Sequence, residues 1–306
     1  MSARQVNAER VTDARTTAPR VTAVVLNWCN EHDTLECLDS LGRQDYSALT
    51  ILLVDNGSPD GSGARLHARY SSLPFLQTGE NLGYAGGNNR GMKHALESGT
   101  DYVLVLNNDT VLEPGCVSEL VRAAATHGDA GAVGGKILRH DAPDRIWFGG
   151  GRFDRLRAIG RHERANRVDI DPAERQPFES TFLTGCCLLI PAATLRTVGY
   201  FRDDFFAYLE DAEYGLRIMK SGKRLFLAPA ARLRHRVPSP GSSPSPDQIH
   251  LRDRNRRRIV RLHYSRLDAI FFAMWFYPTR AALIARYTLR GEVERVRAML
   301  RGMVEV

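Results

Sequence analysis

The chain has 306 residues, 43% apolar and 25% charged, with 42 Lys and Arg against 35 Asp and Glu for a net charge of +7. That length suits one large domain or two modest ones and can bury a proper core. The composition excludes a largely disordered chain and a polytopic membrane protein. Five cysteines (Cys29, Cys37, Cys116, Cys186, Cys187) show neither C-x-x-C nor zinc spacing. They fit a reducing compartment better than a disulfide framework, with Cys186–Cys187 lining a packed strand.

Residues 1–20 are polar and carry four arginines, so they read as a disordered lead rather than a signal peptide. Val21–Leu26 and Thr50–Val54 are apolar runs expected as strands buried on both faces. Between them Asp33–Leu41 has helical spacing, with Asp33 or Thr34 as its cap. The segment Asp55–Gly61 is a dense turn signal. Ala64–Tyr70 is predicted helical and Pro74–Gln77 extended. Asn81–Asn89 reads as a Gly/Asn loop, followed by a helix from about Asn88 to Glu97. A strand over Tyr102–Leu106 ends at Asn107-Asn108-Asp109, and a helix is expected over Pro114–His127. This alternation predicts an α/β fold with a mostly parallel sheet covered on both faces. Asn27, Asp55, Asn81 and Asn107–Asp109 all fall at strand carboxyl ends, where such sheets bind ligands.

The second half is more mixed. Gly131–Leu138 and Phe182–Pro191 read as strands, with an Arg-rich stretch over 140–180 that holds a hairpin near Gly149–Gly151. Phe205–Ser221 is a loop entering a helix, and Leu225–Pro229 a strand. Val237–Pro246 is a Pro/Ser/Gly loop. Helices are expected over Arg252–Arg266 and Glu292–Met303. No segment reaches the roughly 18 apolar residues of a membrane span; the apolar run Ala269–Tyr277 stops before Pro278.

Four segments and one histidine carry candidate chemistry. Asp109, in a tight turn after a strand, can hold a divalent cation against a diphosphate, while Asn107 and Asn108 offer amide donors. Asp55-Asn56-Gly57-Ser58 offers a carboxylate at a second strand end. Asn81–Gly91 has glycines that allow close backbone approach to a ligand and leads into a helix N-terminus. It is neither a Walker loop nor G-x-G-x-x-G. Glu210-Asp211 follows an aromatic run at a helix start. One carboxylate can take a proton while the other orients the substrate, and Phe205, Phe206 and Tyr208 would raise the base by desolvation. His235, after a strand, offers an imidazole as a metal ligand. Each alone also reads as an ordinary turn, an acidic first helical turn or a packed histidine.

Taken in order, VVLNWCNEHDTLECLDSL, LLVDNGSPDGS, NLGYAGGNNRG, VLVLNNDT, FLTGCCLLI and FFAYLEDAEYGLRI, with the His235 region, resemble glycosyltransferase family 2, in particular its rhamnosyltransferase-like members, over about 21–260. The resemblance implies a GT-A fold, a nucleotide-binding sandwich, with residues 21–130 binding the nucleotide sugar and 131–250 supplying the acceptor-binding, catalytic half. Residues 251–306 would form a basic, aromatic helical extension. It implies inverting transfer of a hexose, L-rhamnose from dTDP-rhamnose being favoured, to a glycan, lipid-linked or small-molecule acceptor. Asn27 and Asp55 would border the nucleoside; Asn81, Gly87 and Asn88 the nucleotide or sugar; and Asn107, Asn108 and Asp109 would stand where the family has D-x-D. Asp109 and His235 would ligate Mg²⁺ or Mn²⁺. Asp211 would be the general base with Glu210 beside it, and Thr184 and Gly185 would lie near the acceptor. The alternatives are a non-catalytic nucleotide-sugar-binding protein and a sugar-1-phosphate nucleotidyltransferase.

The segment Arg252–Arg261, RDRNRRRIVR, precedes Phe271, Phe272, Trp275, Phe276 and Tyr277. A solvated helix face and an anionic membrane surface are the two main readings. A homodimer interface and a core helix are alternatives for the aromatic part. Nucleic acid is not an expected partner, since no RNA-binding module is legible. The expected location is cytoplasmic, at the inner face of the membrane if the tail meets lipid.

Overall fold

The computed structural model describes residues 18–305 apart from 172 and 238–242. In chain order the first half runs β1 (Val21–Asn27), α1 (Glu31–Gly42), β2 (Leu49–Asp55), α2 (Ser62–Arg69), β3 (Phe75–Gln77), α3 (Gly83–Glu97), β4 (Tyr102–Asn107), β5 (Thr110–Leu112) and α4 (Cys116–Thr126). The second half continues with β6 (Ala130–Arg139), β7 (Ile146–Phe148), β8 (Gly151–Asp154), β9 (Ile159–His162), β10 (Phe178–Ser180), β11 (Cys187–Pro191), α5 (Ala192–Val198), α6 (Glu210–Lys220) and β12 (Arg224–His235). Three helices follow: α7 (Pro246–His263), α8 (Arg266–Leu289) and α9 (Val293–Val304).

The main sheet follows the order β10-β12-β6-β11-β4-β1-β2-β3. Every residue of β1 is buried, as expected of a central strand covered on both faces. Strands β3, β2, β1 and β4 are mutually parallel, and the register pairs Asn27 with Asp55 and Leu26 with Asn107. Their carboxyl ends therefore share one sheet edge, as the sequence predicts. β11 enters antiparallel between β4 and β6, while β12 runs parallel to β6. β12 also pairs antiparallel with β5, which sets His235 opposite Thr110. The predicted mostly parallel α/β sheet is thus present, with its second half mixed in direction.

Several boundaries differ from the sequence reading. The Gly/Asn segment is helical from Gly83. Helix propensity disfavours glycine there, but packing prevails: a Cβ on Gly87 would lie 2.6 Å from Leu26 Cδ1, and one on Gly91 would overlap Val24 Cγ1. These glycines let α3 sit directly on β1. α1 begins at Glu31, before the caps expected at Asp33 or Thr34, with Asn30 at its N-cap. Only Cys187–Pro191 of the expected strand at 182–191 is extended. β12 passes through Pro229 because a bulge between Ala228 and Arg232 removes the need for its N–H.

α7 starts at Pro246, on a Ser245 capping box, not at Arg252. Of the expected disordered lead, residues 1–17 lie outside the described residues, but Arg20 is held in place, its carbonyl accepting from the Asp101 and Tyr102 amides. Residues 238–242 of the Pro/Ser loop also lie outside the described residues.

α8 does not stop at Tyr277. It runs through Pro278 to Leu289, 24 residues in all, and is long and apolar enough, by length and composition, to cross a bilayer. Its inner face buries Phe272 and Phe276, whereas Leu267, Ile270, Phe271, Met274 and Tyr277 are exposed at helical spacing. Cys37, Cys116, Cys186 and Cys187 are buried free thiols and Cys29 is exposed.

Candidate active site

A cavity of about 660 Å³ opens at the shared carboxyl edge. Asn107, Asp109, Thr184, Gly185, Glu210, Asp211 and His235 line it together, with Tyr84, Trp147 and Arg252. Asp109 and Asp211, far apart in sequence, thus face one shared cavity.

Asp109 lies in the turn joining β4 to β5. The end of β12 comes back alongside, and the Arg236 amide donates to the Asp109 carbonyl at 2.9 Å. His235 Nε2 stands 3.0 Å from Asp109 Oδ1. Neither Asp109 Oδ1 nor His235 Nδ1 has a hydrogen-bond partner among the described residues, although both are buried. Trp147 packs edge-on against the imidazole, with ring centroids 4.5 Å apart.

The Glu210-Asp211 pair opens α6 after an unusual turn. Phe206, Tyr208 and Leu209 all have positive φ, at 61°, 68° and 67°, conformations that cost energy for residues with a Cβ. Asn255 of α7 holds this turn. Its Nδ2 lies 2.9 Å from the Phe205 carbonyl, 2.9 Å from that of Ala207 and 2.7 Å from that of Tyr208. Gly83, also at positive φ, leaves room for Phe206, whose carbonyl accepts the Ala85 amide.

The two carboxylates differ in surroundings. Asp211 Oδ2 accepts from the Gly185 amide at 2.9 Å and Oδ1 from the Ala212 amide at 2.7 Å. Burial raises its pKa, while these two amides pull it back. Glu210 Oε2 is buried without a partner among the described residues. Desolvation, reinforced by the Asp211 charge, raises the Glu210 pKa well above the usual range. The pair therefore favours a protonated Glu210 beside an ionised Asp211. Tyr84 completes the wall by donating to the Gly185 carbonyl at 2.8 Å.

The remaining predicted residues do not line this cavity. Asn27 is buried, donating to Asp55 Oδ1 at 2.8 Å and Ser62 Oγ at 3.0 Å, and accepting from Thr34. Asp55 is 1% exposed and also accepts from the Ser58 hydroxyl at 2.6 Å. Together they knit the ends of β1 and β2. Asn81 accepts from Asn56 and from the Gly83 amide. Gly87 is a packing position. Asn88 donates to the Tyr84 carbonyl, leaving its buried Oδ1 unpartnered among the described residues. Asn108 donates to Thr34 Oγ1 at 2.8 Å.

The sequence reading missed Asn255, Tyr84 and Trp147. Asn255 had one signal: it is an uncharged amide inside an arginine run. Tyr84 and Trp147 had none, because their partners are remote in sequence.

Comparison with known proteins identifies the family and the fold. Residues 23–198 match Glycosyl transferase family 2. The N-acetylglucosaminyl-diphospho-decaprenol L-rhamnosyltransferase of Mycobacterium tuberculosis is 30% identical over 230 residues, covering 68% of this chain and 73% of that protein. In structure the chain resembles GalNAc-T7 with UDP, GalNAc and Mn²⁺, at TM-score 0.65 and 14% identity over 83% of this chain and 50% of that one. It also resembles the mannosyltransferase PcManGT of Pyrobaculum calidifontis with GDP-Man and Mn²⁺, at TM-score 0.53 and 18% identity over 94% of this chain and 87% of that one. The matches favour glycosyl transfer over the nucleotidyltransferase and sensor alternatives. The chain belongs to glycosyltransferase family 2, an enzyme of the GT-A fold that transfers a glycosyl group from a nucleotide sugar.

Proposed function

We propose that this enzyme is an inverting hexosyltransferase with Asp211 as general base, acting on a nucleoside-diphosphate sugar held by the parallel half of the sheet. The observation that carries the reading is the single cavity lined by both Asp109 and Asp211. Asp211 removes the proton of an acceptor hydroxyl as that oxygen bonds to the anomeric carbon. The bond from that carbon to the diphosphate breaks, and the nucleoside diphosphate leaves with the electron pair. One displacement gives one inversion and needs no enzyme nucleophile. Glu210 stays protonated and keeps a second negative charge away from the attacking oxygen. Thr184 and Gly185 border the acceptor side, and Asn107 and Asn108 the donor side. Asn27, Asp55, Asn81, Gly87 and Asn88 support the nucleotide edge from behind. The name of the mycobacterial relative supports L-rhamnose as the transferred sugar and a lipid-linked sugar as the acceptor, and the family resemblance favours dTDP-rhamnose as the donor.

A divalent cation fits the Asp109–His235 pair. Asp109 Oδ1 is buried without a hydrogen-bond partner among the described residues, and His235 Nε2 stands 3.0 Å from it, so both could ligate one cation. Among the described residues no third His, Cys, Asp or Glu joins them, so substrate phosphate and water would fill the other positions. When bound, Mg²⁺ or Mn²⁺ supplies positive charge that stabilises the leaving diphosphate.

The exposed apolar stripe of α8, with exposed Arg261, Arg266, Arg286 and Arg290 on the same pair of helices, supports docking on an anionic membrane surface. The buried free thiols support a reducing, cytoplasmic side. Co-flotation with anionic vesicles that Phe271→Asp with Met274→Asp abolishes is the expected result. A protein that ignores vesicles but forms a salt-stable dimer through this stripe would replace the membrane reading. The reaction itself is tested by a nucleotide-sugar panel, with NMR of the product's anomeric configuration. Retention of configuration would refute the mechanism.

A further inference from the structure

A second cavity, of about 320 Å³, shares Tyr208, Glu210, Asp211 and Arg252 with the first. Its remaining walls include His162, Phe182 and Arg256. His162 and Phe182 lie nearly parallel, 26° apart, and give this space a flat apolar side.

Arg256 is the unusual member. Its side chain is 15% exposed, and its Nε and Nη1 atoms are buried with no hydrogen-bond partner among the described residues. The nearest carboxylate oxygen, Asp253 Oδ1, is 3.8 Å from Nη1, beyond hydrogen-bond reach, and already accepts from Arg280 at 2.6 Å. Arg252 stands beside it on α7, its guanidinium 4.8 Å from the centre of the Tyr208 ring. Burial pulls Arg256 down to about 10, and the nearby Arg280, Arg252 and Arg157 charges add to the effect. It remains a cation at neutral pH, in a site with more positive than negative charge. Buried guanidinium donors are normally satisfied, and their fork geometry matches phosphate oxygens.

We infer that the acceptor is anionic, and that a phosphate or diphosphate on the sugar receiving the glycosyl group seats against Arg256 and Arg252, with its hydroxyl turned toward Asp211. This rests on the reading of Asp211 as the base. The acceptor thus bridges the two cavities: its anion meets the arginines of α7, its ring lies against His162 and Phe182, and its nucleophilic oxygen reaches the carboxylate. The recognised chemistry is the phosphoryl group, carried by either a lipid-linked or a soluble acceptor.

Three N-acetylglucosamine acceptors separate these cases: a prenyl diphosphate, a methyl diphosphate and a neutral O-prenyl glycoside. The expected result is that both diphosphates exceed the neutral glycoside by about tenfold or more in kcat/KM. Arg256→Gln should remove that advantage and Arg256→Lys retain part of it. A further preference for the prenyl over the methyl diphosphate would assign the lipid source, and equality the soluble one. Equal use of charged and neutral acceptors, or an equal loss for both in Arg256→Gln, would overturn the inference. Equilibrium binding of the methyl diphosphate in metal-free buffer needs no donor turnover. At least tenfold weaker binding to folded Arg256→Gln protein is expected, and unchanged affinity refutes the anion site whatever the fate of the transfer assay. Failure of the wild-type protein to turn over any nucleotide sugar would instead count against the transferase mechanism.

Discussion

Asn255 Nδ2 lies 2.7 Å from the carbonyl oxygen of Tyr208 and also reaches the carbonyls of Phe205 and Ala207. One amide on the C-terminal helices thus fixes the turn that aims Glu210 and Asp211. The basic extension is therefore joined to the chemistry through more than charge. Asn255→Leu should release the three carbonyls and relax the positive-φ turn. Two such buried hydrogen bonds are worth about 1–3 kcal/mol. A fall in kcat of about tenfold or more is expected, with nucleotide affinity by calorimetry nearly unchanged. A merely structural role would lower stability and leave the kcat of the folded fraction intact.

Asp211→Asn should reduce transfer by roughly 10²–10⁴-fold, the usual contribution of a general base, while nucleotide binding stays near normal. Burial raises the pKa of Asp211, and the base acts ionised. The rate should therefore rise with pH through a value above that of an exposed aspartate, then level off. A flat pH–rate profile through the acid range would remove Asp211 from the step.

Glu210 has the opposite demand. Its folded-state pKa lies above its unfolded one because the carboxyl is desolvated. The neutral form favours the folded state, so the stability it contributes is full below the unfolded pKa and is lost as pH rises through the folded one. Glu210→Gln keeps the shape and removes the ionisation. It should stabilise the protein at neutral to alkaline pH, by about 1–3 kcal/mol, and make little difference in acid. Denaturant melts at two pH values measure this difference.

His235→Ala removes one of the two side chains proposed to hold a cation. Half-maximal activity should then need roughly tenfold or more Mn²⁺, given the affinity losses seen even for residues that only support metal ligands. Circular dichroism melts without metal should show only a small change. An unaltered Mn²⁺ titration would leave Asp109 as the sole protein ligand.

Much of the first half of the chain was legible in its sequence. β1, β2 and β4 are continuous apolar runs ending in Asn or Asp, so both the parallel sheet and its polar edge followed from sequence alone. The start of α3 was not legible, because its glycines serve contact with Leu26 and Val24 rather than local preference. The full length of α8 was hidden by Pro278, although Thr279 Oγ1 donates to the Phe276 carbonyl in the turn around it. The convergence of Asp109, His235, Glu210 and Asp211 depends on β12 returning beside β5, a long-range pairing that no local pattern encodes. The same holds for the carbonyl clamp of Asn255.

The distribution of sulfur has a practical consequence. Four thiols are shut inside the core, and burial pushes Cys37 up to about 12, so only Cys29, in the loop after β1, presents itself to reagents. Its amide donates to Ser58 Oγ at 3.0 Å, next to the Asn27–Asp55 network. A maleimide fluorophore or nitroxide should therefore attach at one native position beside the proposed nucleotide edge. Donor loading could then be followed by light or by electron resonance on an otherwise unaltered enzyme.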